Sequence, residues 1–269
     1  MLRLTIAGAD APAPLPPDVS DPAATVWRDD AGAVVALGRT VADRHWLHLP
    51  RVGAFGFAQS AGGVTAVPEP GVDPGVVEDA FRRMILPLAL QAQGREVLHA
   101  SAVRTPTGVV ALCARSGTGK STIACALGRR GHLLWADDEV CFEAGDSGIE
   151  AAPLPFTLRL RPSSAAFFGH RDTDDRLHEA ENREPLAAVF VLERSAGVAT
   201  RIERLAPADA FPAVLTHGYS FTVDDRERTR AMMRNYLELV DRVPVFRLTF
   251  ADGLDKLDAL VEMIERTAR

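Results

Sequence analysis

The chain has 269 residues, 47% of them hydrophobic and 25% charged, which is enough apolar material for one large or two modest cores and excludes wholesale disorder. Thirty basic and 36 acidic residues leave a net charge of −6, so the overall field favours neither nucleic acid nor an anionic membrane surface. Cys113, Cys125 and Cys141 form no CxxC pair and no zinc-finger spacing, which fits a reduced chain with small buried thiols. No apolar run approaches the roughly 20 residues of a membrane span. The N-terminus turns polar and proline-rich after Ile6, unlike a secretory signal, so a cytoplasmic location is expected.

In chain order, residues 2–6 alternate like a strand, and a proline-rich connection from Pro12 to Pro22 cannot be helical. Short β-like runs follow between Ala24 and Val67, broken by Gly and Asp clusters, and predict a small antiparallel sheet. Residues 76–93 read as a helix with Glu78 and Asp79 in its first turn and Pro87 placed to kink or end it. A domain boundary is expected near residue 75, giving a β-rich domain over 1–75 and a second domain over 76–269. A hairpin (97–105 and 109–114) opens the regular part of the second domain. From there the rhythm becomes strand, loop, helix: a helix over 122–131, then strands at 132–140, 157–161 and 186–194, with a charged segment from Arg171 to Glu184. Helices are expected at 207–216, 223–241 and 254–268, and a strand at 243–250. The fold class is therefore α/β.

The segment Ala114-Arg115-Ser116-Gly117-Thr118-Gly119-Lys120-Ser121 carries the most chemistry. It follows a β run and opens a helix, the setting of a phosphate-binding P-loop. Gly117 and Gly119 permit torsions that turn successive N–H groups inward as an anion nest, and the helix adds its positive end. Lys120 can reach the β- and γ-phosphates, the Ser121 hydroxyl can ligate Mg²⁺, and Thr122 faces the α-phosphate side. Ser116 and Thr118 complete the nucleotide-binding set. Ala114 stands where glycine is usual and is small enough for the turn. Downstream, an apolar strand ends in Asp137-Asp138-Glu139, where the Mg²⁺-holding acid of such a site belongs. A second adjacent acid could take the proton of an attacking hydroxyl, and the pattern fits either order of the two aspartates.

Together, His99-Ala100-Ser101, Ala114–Thr122 and the Arg130-Gly131-His132 to Asp137-Asp138 strand resemble the bacterial HPr kinase/phosphorylase family, most strongly over residues 96–142. The resemblance implies a P-loop kinase domain related in fold to phosphoenolpyruvate carboxykinase, use of ATP and Mg²⁺, assembly into a homo-oligomer, and phosphorylation of a serine on a protein. Carried over by position, Lys120 and Ser121 match the phosphate and metal residues, Asp137 the acid/base, Asp138 a metal ligand and His99 an active-site histidine. Arg204, in Ile202-Glu203-Arg204-Leu205, would match an arginine that stabilises the transferring group. The first 95 residues do not look like that family's N-terminal domain, and TLRLRPSSAAFFG (157–169) stands where its glycine-rich signature belongs. The chain is thus more similar to the divergent relatives that include lasso peptide kinases, which phosphorylate a precursor peptide's serine.

Arg159 and Arg161 alternate with leucines, divided evenly between phosphate contact and surface charge. Arg226, Arg230 and Arg234 read as a solvated helix face, and His217-Gly218-Tyr219 as a helix end. The function expected is an ATP- and Mg²⁺-dependent kinase acting on a peptide or protein serine, without nucleic-acid or membrane partners. Its rivals are a nucleotide-binding regulatory module without kinase activity and a kinase of a small hydroxylated metabolite.

Overall fold

The computed structural model describes residues 2–7, 24–58, 60, 62–145, 148–169, 177–178, 182–220 and 225–269. The proline-rich connection and most of the charged segment lie outside the described residues. The chain forms two compact units, Met1–Gly94 and Arg95–Arg269. Compactness puts residues 76–92 with the first unit, whereas the expectation of a boundary near residue 75 assigned them to the second. The whole is mixed α/β, and no described helix is long and apolar enough to cross a membrane.

The first unit is a six-stranded sheet, in the order β1-β6-β5-β4-β3-β2, formed by β1 (Arg3–Ile6), β2 (Thr25–Arg28), β3 (Val34–Val41), β4 (Arg44–Leu49), β5 (Gly53–Ala58) and β6 (Gly63–Pro68). All neighbours are antiparallel except β1 and β6. Trp46 lies flat across its partner Gly56, where a β-carbon would come within 2.1 Å of the indole, so only glycine fits beneath the ring. A helical segment follows: α1 (Pro74–Ala80), a π turn (Phe81–Ile85) and α2 (Leu86–Ala92). Pro87, expected to kink or end this helix, is carried through it. The Leu86 N–H donates to Phe81 O, and the widened turn accommodates a residue that has no N–H of its own.

The second unit is built on an eight-stranded sheet. Strands β8 (Gly108–Cys113), β14 (Glu184–Arg194) and β16 (Val245–Phe250) run parallel at its centre. Beside β8 lies β7 (Glu96–Thr105), joined to it by a tight hairpin, and β15 (Arg201–Arg204) borders β16. On the far side of β7, β9 (Leu133–Ala136) and β10 (Glu139–Gly145) follow one another along the same edge. β11 (Gly148–Ala152) pairs both β10 and β14, so β7, β8, β14, β11 and β10 close on one another.

Alternation along β7 divides the interior. Leu98, Ala100 and Ala102 join a core with α5 (Pro207–Leu215) and α6 (Arg226–Arg242). Val103, with Val110 and Leu112 of β8, joins a second core with α3 (Lys120–Arg129), α4 (Pro162–Phe168) and α7 (Leu257–Thr267). His99 and Ser101 share the face of Val103 and so look toward α3. The free thiols are all buried, as expected. Residues 157–161 correct the sequence reading. Only β12 (Phe156–Thr157) is extended, paired with β13 (Leu177–His178), because Arg159 gives its N–H to a side chain instead of a ladder and Pro162 opens α4.

The start of β7 is clamped from α6. Asp225 caps that helix by accepting from Glu227 N and Arg228 N, and Met232, Tyr236, Leu239 and Val240 recur on its buried face. Arg228 Nη1 sits 2.8 Å from Glu96 Oε1, the two side chains being 6% and 1% exposed. Asn235 donates to the same carboxylate, Arg228 Nη2 to Arg95 O, and the Tyr236 hydroxyl to Val97 O. Removing one partner of a buried pair leaves an uncompensated charge, at a cost of about 3–5 kcal/mol. Urea unfolding of Arg228→Ala is therefore expected to show a loss of that order, and a double change of Arg228 to Met and Glu96 to Leu a distinctly smaller one. A single variant as stable as the parent would contradict the clamp.

Candidate active site

The loop between Cys113 of β8 and Lys120 of α3 has the backbone that the sequence demands of a phosphate nest. Gly117 (φ +83°) and Gly119 (φ +121°) both lie where other residues are strained, and Thr118 N closes a turn onto Arg115 O at 3.2 Å. The first N–H groups of α3 have no partner within the helix and add its positive end to the nest. Nothing stands within 4 Å of the space a β-carbon on Gly119 would take, so that side of the loop is open.

Lys120 is only 6% exposed. Its Nζ donates to Ala114 O at 3.1 Å and to His99 Nε2 at 2.9 Å. His99 Nδ1 lies 3.1 Å from the Asp138 carbonyl. A carbonyl only accepts, so Nδ1 carries the proton and Nε2 is free to accept from the ammonium. Burial, then the Lys120 charge, lower the imidazole's proton affinity, outweighing the opposing pull of Asp138. Burial also lowers the pKa of Lys120, while Asp138 and then Asp137 hold it up, which places both carboxylates within electrostatic reach of the amine.

The two aspartates fall between β9 and β10. Ala136 pairs with Ala102 of β7 and Glu139 with His99, three residues apart on each strand, so Asp137 stands opposite Ser101 and Asp138 opposite Ala100. Asp138 takes the left-handed conformation (φ +70°) and breaks the ladder there. Asp137 is 5% exposed and fully engaged. Its Oδ1 accepts from the Ser101 hydroxyl at 2.6 Å and the Ser121 hydroxyl at 2.8 Å, and its Oδ2 accepts from Arg159 N at 3.1 Å. Burial raises its pKa against the pull of these donors. Thr122 reaches across to Ser164 of α4, with 2.9 Å between their hydroxyls.

The structure therefore gathers His99, Lys120, Ser121, Asp137 and Asp138 at one end of β8, with Ser116–Gly119 as the loop above them and Thr122 turned to α4. It does not bring Arg204 there. β15 lies three strand spacings from β8, roughly 14 Å at ordinary sheet geometry, and Arg204 is exposed at that edge. Ser101 is a residue that sequence reasoning did not assign, though its spacing of two from His99 puts both on one strand face. The segment read as a helix end is also part of the site. His217 O accepts from His99 N at 2.7 Å, Gly218 bridges to Leu98, and the Tyr219 ring stands edge-on to His99 with 6.3 Å between centroids. Burial first, then His99, Lys120 and Arg115, push the pKa of His217 down to about 4.

No protein-family model matches the chain, and no curated protein matches it. Among solved structures it is similar to the HPr(Ser) kinase/phosphatase from Coxiella burnetii, at 14% identity and a TM-score of 0.36, over 64% of this chain and 89% of that one. That likeness is too slight to assign fold or activity, which rest on the residues themselves.

The two histidines give the site a pH signature. Both hold protons less tightly folded than unfolded, so the unfolded chain binds more protons below the ordinary histidine value of 6.5 and stability falls as pH drops from there, for His217 toward about 4. The melting temperature is expected to decline between about pH 6.5 and 5, less steeply in His217→Gln than in the parent. Parallel declines would remove His217 from the account.

Proposed function

We propose that the second unit is an ATP- and Mg²⁺-dependent kinase that transfers the γ-phosphoryl group to a serine hydroxyl of a peptide or protein. The observation that carries the reading is the 2.8 Å hydrogen bond from Ser121 to Asp137, which joins the first turn after a phosphate nest to the acid at the end of the neighbouring strand. A loop that merely turned a strand into a helix would have no use for a buried lysine, a buried carboxylate and a half-buried second one at its mouth.

The donor set suits Mg²⁺. That ion prefers oxygen ligands, keeps several waters and is held by one or two carboxylates together with substrate phosphates. Here a hydroxyl and two carboxylates adjoin the nest, and among the described residues no group of three or more His, Cys, Asp or Glu forms an all-protein cage. Ser121 would hold the ion, with Asp137 behind it as the acceptor of the Ser121 hydroxyl proton. Its contribution when bound is neutralisation of phosphate charge.

The two aspartates differ in what they are free to do. A raised proton affinity would suit Asp137 as a base, but both its oxygens are already occupied and it is almost wholly enclosed. Asp138 is less buried, faces Lys120 and His99 electrostatically, and lies on the strained residue that turns the chain out of the ladder. We therefore assign Asp138 to the acceptor and Asp137 to the metal side, the reverse of the order implied by the family resemblance. The acceptor oxygen bonds to the γ-phosphorus as the bond to the β,γ-bridging oxygen breaks. The hydroxyl proton passes to Asp138, and ADP leaves with the bridging oxygen. Lys120 and the loop N–H groups hold the phosphates, while His99 keeps the amine in place.

Intact-mass analysis of serine-bearing peptides after incubation with ATP and Mg²⁺ tests this, with precursor peptides encoded beside the gene, such as those of lasso peptides, as first candidates. A phosphate-sized gain is expected with the parent and none with Lys120→Ala. Asp138→Asn should lower transfer by roughly 10²–10⁴-fold while retaining ATP binding. Asp137→Asn should weaken the Mg²⁺-dependent part of ATP binding. Transfer by Asp138→Asn at the parent rate would return the base to Asp137. ATP binding without transfer to any peptide would leave a nucleotide-binding regulator, and transfer to a small hydroxylated compound alone would point to a metabolite kinase.

A further inference from the structure

We infer that Arg161 is the arginine that meets the nucleotide's terminal phosphates, a role the family resemblance placed on Arg204. This rests on the nucleotide reading above and adds to it a residue from a segment where the chain departs from the family pattern.

The placement is direct. A β-carbon on Gly117 would lie 2.6 Å from Arg161 Nη2, 2.9 Å from Cζ and 3.0 Å from Nη1, so the guanidinium covers the glycine of the nest. No carboxylate among the described residues pairs with Arg161. Lys120, Arg115 and the start of α3 bring positive charge to the same space, where Asp137 and Asp138 offset part of it. A guanidinium beside the nest, with no carboxylate bonded to it among the described residues, is placed to answer an anion that enters the loop. The guanidinium, flat and forked, matches phosphate oxygens two at a time.

The segment that carries it is fastened on both sides. Two residues earlier, Arg159 N is held by Asp137 Oδ2, and Leu158 is buried in the core beneath. Three residues later, Ser164 is bonded to Thr122 of α3. At the far end of α4, Arg129 donates to Phe168 O and sits 4.9 Å from the Phe168 ring centroid. Arg161 thus springs from a backbone tied at three points to the helix and carboxylate of the site. An arginine so mounted is oriented before the substrate binds, which lessens the ordering cost of each phosphate contact.

Calorimetric titration of the full chain with ATP and with AMP, in Mg²⁺, tests the inference without requiring turnover. Arg161→Gln is expected to weaken ATP binding by about tenfold or more, the worth of a charge-assisted hydrogen bond, and to leave AMP binding close to the parent. Equal ATP affinity in parent and variant, or an equal loss for ATP and AMP, would overturn the role of Arg161 while leaving the nucleotide site intact. A parent chain that binds no ATP would instead overturn the nucleotide reading itself. Should Arg161→Gln not fold, Arg161→Lys, which keeps the charge and loses the fork, is expected to show the same selective loss in smaller measure; parent-like ATP binding in it would count against the role.

Discussion

The architecture of the site depends on burying the carboxylate of Asp137. An ionised group taken from water is costly unless its lone pairs are answered, and here they are answered by three donors from three separate segments: Ser101 on β7, Ser121 on α3 and the Arg159 backbone before α4. The strand end, the phosphate loop's helix and the irregular stretch after β12 are thereby brought to one point. Each donor is weak alone, and together they set the distances among the glycine loop, the acid and the segment that carries Arg161. This is why the stretch over 157–161, extended in its pattern of alternating leucines and arginines, leaves the sheet so early. Its N–H is worth more to a buried carboxylate than to a ladder at the edge.

A second constraint is the neutral imidazole of His99. By giving its Nδ1 proton to the Asp138 carbonyl it leaves Nε2 to hold Lys120. The amine is thus kept at the loop by the imidazole and by Ala114 O, with no carboxylate bonded directly to it among the described residues. The left-handed Asp138 supplies the carbonyl for that arrangement, and holding a non-glycine residue there costs about 1–2 kcal/mol. The fold sustains the strain because ladder pairing resumes at once on either side.

Much of this was legible from residues alone. Gly117, Gly119, Lys120 and Ser121 announce themselves because their chemistry depends on spacing along one loop, and the acids of 137–139 because they end an apolar strand. The α/β class follows from the alternation of runs after residue 108, whereas the parallel order of β8, β14 and β16 appears only in the structure. What escaped depends on contacts distant in sequence. His217 and Tyr219 join the site only because the chain after α5 lays itself along β7, and nothing within Thr216-His217-Gly218 announces that. Arg161 and Arg204 look alike as letters. They are separated by the sheet order, which leaves β15 at the edge and draws α4 over the loop. The strand expected over 132–140 is instead β9 and the start of β10, parted where Asp138 leaves the ladder.

The pairing of β9 and β10 with one edge of β7 has a consequence for how this stretch can change over generations. From Ala136 to Glu139 the chain takes the same number of steps as β7 takes from Ala102 to His99. The pair of aspartates therefore occupies a counted interval. Its letters can be exchanged one at a time, each with a graded effect. Its length cannot, since one residue gained or lost would turn every later side chain of β10 to the opposite face and carry Val140 and Phe142 out of the core. Variation among descendants of this chain should be written here in substitutions, and insertions should accumulate instead where the strands end.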